Sequence, residues 1–242
     1  MSVSKKNKIL VAGMAAAAGL GYYSVLPTVR EKYPYMLRNK IAWRMEKTGE
    51  METGKKPVFL TFDDGPGPHT MELLDLLEQY DVKATFFIVT SFAEKYPETI
   101  ERMKEEGHEI GLHSYLHKSG LFASPVFTRK TFRRSLEIMN KMDVHPTLYR
   151  APWGEINRET VRQTDRMNLK RVYWTVMAED WRGGQSCQVT AEKLFARVHP
   201  GDVICIHDGR GKNDAPARTI EALKIVLPVW KSMGYTFETM KK

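Results

Sequence analysis

The stretch 57–64, Pro57-Val58-Phe59-Leu60-Thr61-Phe62-Asp63-Asp64, decides how this 242-residue chain is read. An apolar, β-rich run ends on two carboxylates and enters the turn Gly65-Pro66-Gly67-Pro68. The texture then changes. In 71–80, Leu73, Leu74 and Leu77 share one helical face, and Glu72, Asp75 and Glu78 share the opposite one. The same alternation repeats outward, with β-rich runs at 84–89, 109–112, 147–149, 171–176, 202–206 and 235–238. Helical spacing returns in 129–142 through Phe132, Leu136 and Met139. It returns again in 217–231 through Ile220, Leu223, Leu227 and Trp230, where Pro228 predicts a kink. Asn157 and Thr190 stand where helix N-caps are expected. Strands separated by helices imply parallel pairing with right-handed crossovers. Seven such units predict an α/β fold, an irregular (β/α) barrel of about seven parallel strands rather than the usual eight. A doubly wound open sheet is the alternative, and the absence of G-x-G-x-x-G after the first strand argues against a dinucleotide fold.

Composition agrees with a folded domain. Hydrophobic residues make up 42% and charged residues 27%, which excludes a disordered chain. Two cysteines exclude a disulfide scaffold and a thiolate-rich zinc module. No repeat period is visible. The net charge of +8 is unevenly placed: residues 1–55 hold ten basic and four acidic residues, leaving only +2 for the rest. A nucleic-acid enzyme would carry its basic patch on the folded domain, so no nucleic-acid partner is expected.

That charge flanks an uncharged run, Ile9 to Pro27, of 19 residues. As a helix it would be about 28 Å long, enough to span a bilayer. An uncleaved signal-anchor over residues 1–27 is the first reading. A cleaved signal peptide is the second, since Ala15-Ala16-Ala17 suits a small-x-small site. A buried core helix is the third. Residues 28–56 then read as a basic membrane-proximal linker, with Leu37, Ile41 and Met45 on a stripe beside Tyr33, Tyr35 and Trp43. The stripe suits a membrane surface or the catalytic domain equally. Thr48–Lys56 reads as the linker proper, and 57–242 as the catalytic domain.

In a barrel, chemistry belongs at the C-terminal ends of strands. Asp63 and Asp64, His113 and His117, Arg150, Asp180 with Trp181, and His207 with Asp208 follow five of the β-rich runs. Adjacent carboxylates point different ways, so one can hold a metal while the other takes a proton. His113 and His117 are at i, i+4, and on a helical turn both would reach one ion; with a carboxylate they form a His₂Asp set. Arg150 suits bidentate pairing to Asp63. His207 with Asp180 as partner favours the imidazolium, the form a general acid needs.

These residues resemble the NodB-homology polysaccharide deacetylases, carbohydrate esterase family 4. Thr61-Phe62-Asp63-Asp64-Gly65-Pro66 and His113-Ser114-Tyr115-Leu116-His117 match that family's first two motifs intact. Arg150-Ala151-Pro152-Trp153-Gly154, Glu179-Asp180-Trp181 and Cys205-Ile206-His207 are similar to the other three. The resemblance implies that Asp64, His113 and His117 bind a divalent metal, usually zinc, with cobalt, nickel or manganese also suited. It implies Asp63 as general base on the attacking water, Arg150 as its holder, and His207 supported by Asp180 as acid for the leaving amine. The metal and a backbone N–H near Trp153 would stabilise the oxyanion, and Trp181 would wall the acetyl pocket. Two positions depart from the pattern. Met177 replaces an Asp common three residues before Asp180. Cys205 replaces a Leu two residues before His207, which puts a smaller side chain toward the site. Cys187 is not expected to pair with it.

The expected activity is metal-dependent removal of N-acetyl groups from GlcNAc residues of a surface polysaccharide such as peptidoglycan, outside the membrane. The resemblance leaves amide and ester cleavage open, since the same machinery would serve for O-acetyl groups. A membrane-tethered glycan-binding protein with a decayed site, and a deacylase of a lipid-linked or small N-acyl sugar, are the competing readings.

Overall fold

A computed structural model describes residues 5–48 and 56–240. The chain opens with helix α1 (Lys5–Leu20), passes through a π-helical turn at Gly21–Val25, and continues as α2 (Leu26–Thr48). Then come β1 (Lys56–Asp63), α3 (Thr70–Gln79), β2 (Thr85–Val89), the short α4 (Thr90–Ala93), α5 (Pro97–Glu105) and β3 (Glu109–Ser114). They are followed by α6 (Pro125–Lys141), β4 (Leu148–Tyr149), α7 (Arg158–Arg166), β5 (Lys170–Arg171) and β6 (Val176–Met177). The chain ends with α8 (Cys187–Arg197), β7 (Val203–His207), α9 (Ala215–Ser232) and β8 (Tyr235–Phe237).

The strands lie in the order β5-β4-β3-β2-β1-β7-β6, with β8 pairing the start of β1. Every pairing is parallel. This is the irregular α/β barrel expected, with one change. The run 171–176 is two short strands at opposite ends of the sheet path, not one. Residues 172–175 step across the gap, tied by Val172 N to Tyr149 O at 2.8 Å and by Thr175 N to Val203 O at 2.9 Å. The barrel closes through this step rather than through a β5–β6 ladder.

Strand periodicity sorts the side chains into two layers. Val58, Leu60 and Phe62 of β1, Phe86 and Ile88 of β2, and Ile204 and Ile206 of β7 belong to the large core cluster, as do Leu73, Leu77, Leu223 and Trp230 of the surrounding helices. The alternate residues point into the barrel, where Phe87, Leu148 and Val172 form one small cluster and Trp174, Val203 and Cys205 another. Asn157 caps α7 as expected, accepting from Thr160 N at 2.8 Å. Thr190 does not cap α8. Ser186 does, accepting from Val189 N at 3.3 Å, and Thr190 is a buried residue inside the helix. Pro228 lies within α9. Cys187 opens α8, and both cysteines are free.

Among the described residues no helix is long and apolar enough to cross a membrane. The span expected at Ile9–Pro27 is therefore not supported: α1 ends at Leu20 and a π turn intervenes before α2. Residues 28–48, read as part of the basic membrane-proximal linker, belong to helix α2. The side chains of Ile41, Trp43 and Met45, and the linker at 49–55, lie outside the described residues. Leu37 and Tyr33 are exposed, whereas Tyr35 is partly buried against the inner cluster of Phe87, Leu148 and Val172.

Candidate active site

The β1–β7 register places Thr61 beside Cys205 and Asp63 beside His207. Odd-numbered residues of both strands face the barrel interior, so their alternation delivers a carboxylate, a thiol and an imidazole to one cleft. That cleft has a volume of about 1050 Å³. Asp63, Asp64, His113, His117, Trp153, Trp181, Cys205 and His207 all line it, so residues far apart in sequence converge as expected.

Asp63 and Asp64 diverge because Asp64 takes a left-handed φ of 75° just after the strand. Asp64 Oδ1 then lies 3.1 Å from His113 Nε2 and 2.8 Å from His117 Nε2. The two histidines do not share a helical turn. His113 is on β3, and His117 follows on a turn with φ 48°, its N–H donating to Ser114 Oγ at 2.8 Å. His113 Nδ1 donates to Arg150 O at 2.8 Å, which leaves Nε2 of the neutral ring with a lone pair. Asp64 Oδ1 is buried with no hydrogen-bond donor, and His117 Nδ1 is likewise unpartnered. An ionised carboxylate facing two imidazole nitrogens is a cation-binding set, and these three ligand atoms lie within 4.8 Å of one another. The donor set fits a divalent metal.

Arg150 is fully buried inside the barrel. It does not form the expected bidentate fork. Nη1 alone bonds Asp63 Oδ1 and Thr61 Oγ1, both at 2.7 Å, while Nη2 donates to Tyr173 O at 3.1 Å. Its guanidinium stacks on the Phe87 ring at 4.1 Å. The other Asp63 oxygen faces Cys205 Sγ at 3.4 Å, confirming that Cys205 turns toward the site. Burial pushes the Cys205 thiol well up, with the Asp63 charge acting in the same direction, so it stays protonated.

His207 Nδ1 is 3.0 Å from Asp180 Oδ1. Asp180 Oδ2 accepts from His207 N at 2.8 Å and from Thr219 Oγ1 at 2.9 Å. Burial works against the imidazolium, but Asp180, and behind it Asp64 and Asp63, raise His207 to about 9. The rings of Trp181 and His207 meet edge to face at 5.1 Å, and those of Trp153 and His117 at 4.5 Å. Trp153 itself holds φ 55°. Left-handed φ at Asp64, His117 and Trp153 concentrates backbone strain at this cleft, as functional sites do. Met177 also lines the cleft, and Arg197 Nη1 bonds its carbonyl.

Two residues were given no role from the sequence. Asp208 is buried against the Gly65 backbone, and a Cβ there would stand 2.1 Å from its Oδ2. Burial raises its carboxyl to about 7, opposed by the Thr70 hydroxyl that donates to it at 2.7 Å. Its signal was present, a carboxylate following His207 at a strand end. Lys32 reaches the cleft from α2 and had no local signal, since the stripe read in this segment ran through Leu37, Ile41 and Met45 and not through Lys32.

A parallel barrel with a His₂Asp cation set, a second carboxylate and an imidazole–carboxylate pair at its strand ends is built for hydrolysis. The polysaccharide deacetylase family model matches residues 50–172. A peptidoglycan-N-acetylglucosamine deacetylase of Bacillus cereus is 34% identical over 77% of this chain and 67% of that protein. A chitooligosaccharide deacetylase of Bradyrhizobium is 31% identical over 76% of this chain and 88% of its own. The solved structure of the Bc1960 peptidoglycan N-acetylglucosamine deacetylase matches at 33% identity with a TM-score of 0.71, covering 77% of this chain and 86% of that one. The chain belongs to the polysaccharide deacetylase family and is a hydrolase of that class.

Proposed function

We propose that this protein removes N-acetyl groups from GlcNAc residues of peptidoglycan or a related surface glycan, acting outside the cytoplasmic membrane where such polymers lie. The observation that carries the reading is the convergence of Asp64, His113 and His117 on one point, beside Asp63 and His207 in one cleft. The similar proteins named for peptidoglycan and chitooligosaccharide deacetylation support the substrate class.

Asp64, His113 and His117 would hold a divalent cation, zinc best suiting two imidazoles and a carboxylate. When bound, it supplies positive charge that polarises the acyl carbonyl and acidifies water. Asp63 takes the proton from the attacking water, held in place by Arg150 Nη1. His207 uses Nδ1 on Asp180, which leaves Nε2–H to protonate the departing amine. Trp153, Trp181 and Cys205 shape the acyl and sugar pocket, and the Trp153 N–H is the proposed backbone donor to the oxyanion.

The test uses the whole chain, stripped with a chelator and reloaded with zinc. Acetate release is followed on GlcNAc oligomers and on digested peptidoglycan. Zinc-restored release supports the reading, and the better substrate identifies the glycan. A reloaded protein that binds one equivalent of zinc and releases no acetate from either substrate refutes it.

A further inference from the structure

Helix α2 lies against the cleft and is held there along one face. Thr28 Oγ1 donates to Ile156 O and accepts from Ile156 N, both at 2.9 Å. Glu31 pairs with Arg171 at 2.5 Å. Tyr35 meets the Tyr173 ring edge-on at 5.5 Å. Positions 28, 31, 32 and 35 follow the i, i+3, i+4, i+7 stripe, so Lys32 lies on the docked face. Its stem crosses Gly154, where an added Cβ would stand 3.1 Å from Lys32 Cδ and Cε. Its Nζ donates to Trp153 O at 2.8 Å and sits 5.0 Å over the Trp174 ring. From there Lys32 lines the cleft with Asp63, Cys205 and His207.

This ammonium is half desolvated without a matching anion. Burial lowers its pKa, and the more distant Glu155 opposes that only in part. Glu155 is itself engaged by the Ser119 hydroxyl. Among the described residues Lys32 has no ion-pair partner. Arg182, Arg210 and Lys212 also line the cleft, are exposed, and have no ion-pair partner among the described residues. A neutral sugar chain would leave these cations uncompensated. A chain bearing carboxylates would pair them by charge-assisted hydrogen bonds.

We propose that α2 forms a working wall of the cleft and that Lys32 is a specificity-determining residue, binding a carboxylate carried by the glycan beside the N-acetylated sugar. This rests on the deacetylase reading above and names the class of polymer within it, an acidic amino-sugar chain.

The experiment uses the whole zinc-loaded chain and two matched substrates. One is a peptide-free GlcNAc–MurNAc strand with its lactyl carboxylates. The other is the same strand with those carboxylates reduced to alcohols. The wild-type protein favours the acidic strand by about tenfold in kcat/KM. In Lys32→Met, which keeps the stem over Gly154, that ratio falls toward one; in Lys32→Arg it is retained. In the wild type, added salt raises KM for the acidic strand and not for the reduced one. A wild type without acidic preference or salt dependence overturns the proposal. So does a Lys32→Met variant in which both strands slow together with the ratio intact, because Lys32 would then only prop the Trp153 loop. Absence of acetate release from both strands in the wild type overturns the deacetylase reading itself, whereas release without preference overturns only the role of Lys32.

Discussion

Asp63 and Asp64 are chemically identical neighbours whose surroundings assign them different work. Asp63 accepts from a buried guanidinium and faces the thiol of Cys205, while Asp64 faces two imidazoles. In the proposed mechanism only Asp63 moves a proton. Asp63→Asn is therefore expected to lower kcat by at least about a hundredfold while zinc stoichiometry stays at one. Retained turnover, or lost zinc, would reassign the pair. His207 gives a pH prediction. Its pKa is raised from 6.5 to about 9 by Asp180 and the nearby carboxylates acting against burial. The acid form thus persists through neutral pH, and kcat should fall as pH rises through about 9. The same shift stabilises the fold below the unfolded value of 6.5, a contribution lost as pH rises through about 9. Asp180→Asn removes the main raising influence and leaves burial, so the alkaline limb should move down by more than about one pH unit. A limb that stays near 9 in a pH–kcat series would exclude His207 as the acid. The place of these residues in one cleft was legible because each sits in a short contiguous motif at a strand end. Lys32 was not, because its place depends on how α2 docks, and the helix has no sequence-local signature of that contact.

At the scale of elements, period-2 alternation was readable and breaks in it were not. The run 57–63 sorts into Val58, Leu60 and Phe62 toward the helices and Phe59, Thr61 and Asp63 toward the interior. The run 171–176 has the same β-rich texture, yet it must step from one end of the sheet path to the other. Composition cannot distinguish a continuous strand from such a crossing, since both bury the same apolar side chains. The His113–His117 spacing misled in a similar way: four residues suit a helical turn, but a strand end followed by a left-handed residue brings the rings together equally well. The loop after β1 depends on close backbone approach. A Cβ on Gly65 would stand 2.1 Å from Asp208 Oδ2, and Asp208 is buried and held by Thr70. Gly65→Ala should cost roughly 1–3 kcal/mol through overpacking. That is a fall in Tm of about 2–4 °C per kcal/mol for a chain of this size. An unchanged melting curve would mean that Asp208 can swing aside, and with it that the packing of this loop is looser than its burial implies.

At the scale of the whole molecule, the proposed cation joins parts of the barrel that are otherwise tied by ladder bonds and packing. Asp64 follows β1, His113 lies on β3, and Arg150 O behind it follows β4. An ion held by these groups binds the native barrel far better than the unfolded chain, where the ligands are 53 positions apart, from Asp64 to His117. Linkage then fixes the size of the effect: zinc at 100 times its dissociation constant should stabilise the fold by about 2.7 kcal/mol. For a chain of this length that is a rise in Tm of roughly 5–10 °C over the chelator-treated protein. The rise should shrink in acid, because protons compete with the ion for its ligand atoms. A His113→Ala, His117→Ala double variant should melt at one temperature with or without zinc. If its Tm still climbs with zinc as in the wild type, the stabilising ion sits elsewhere, and the convergence of three ligand atoms in this cleft would need another explanation.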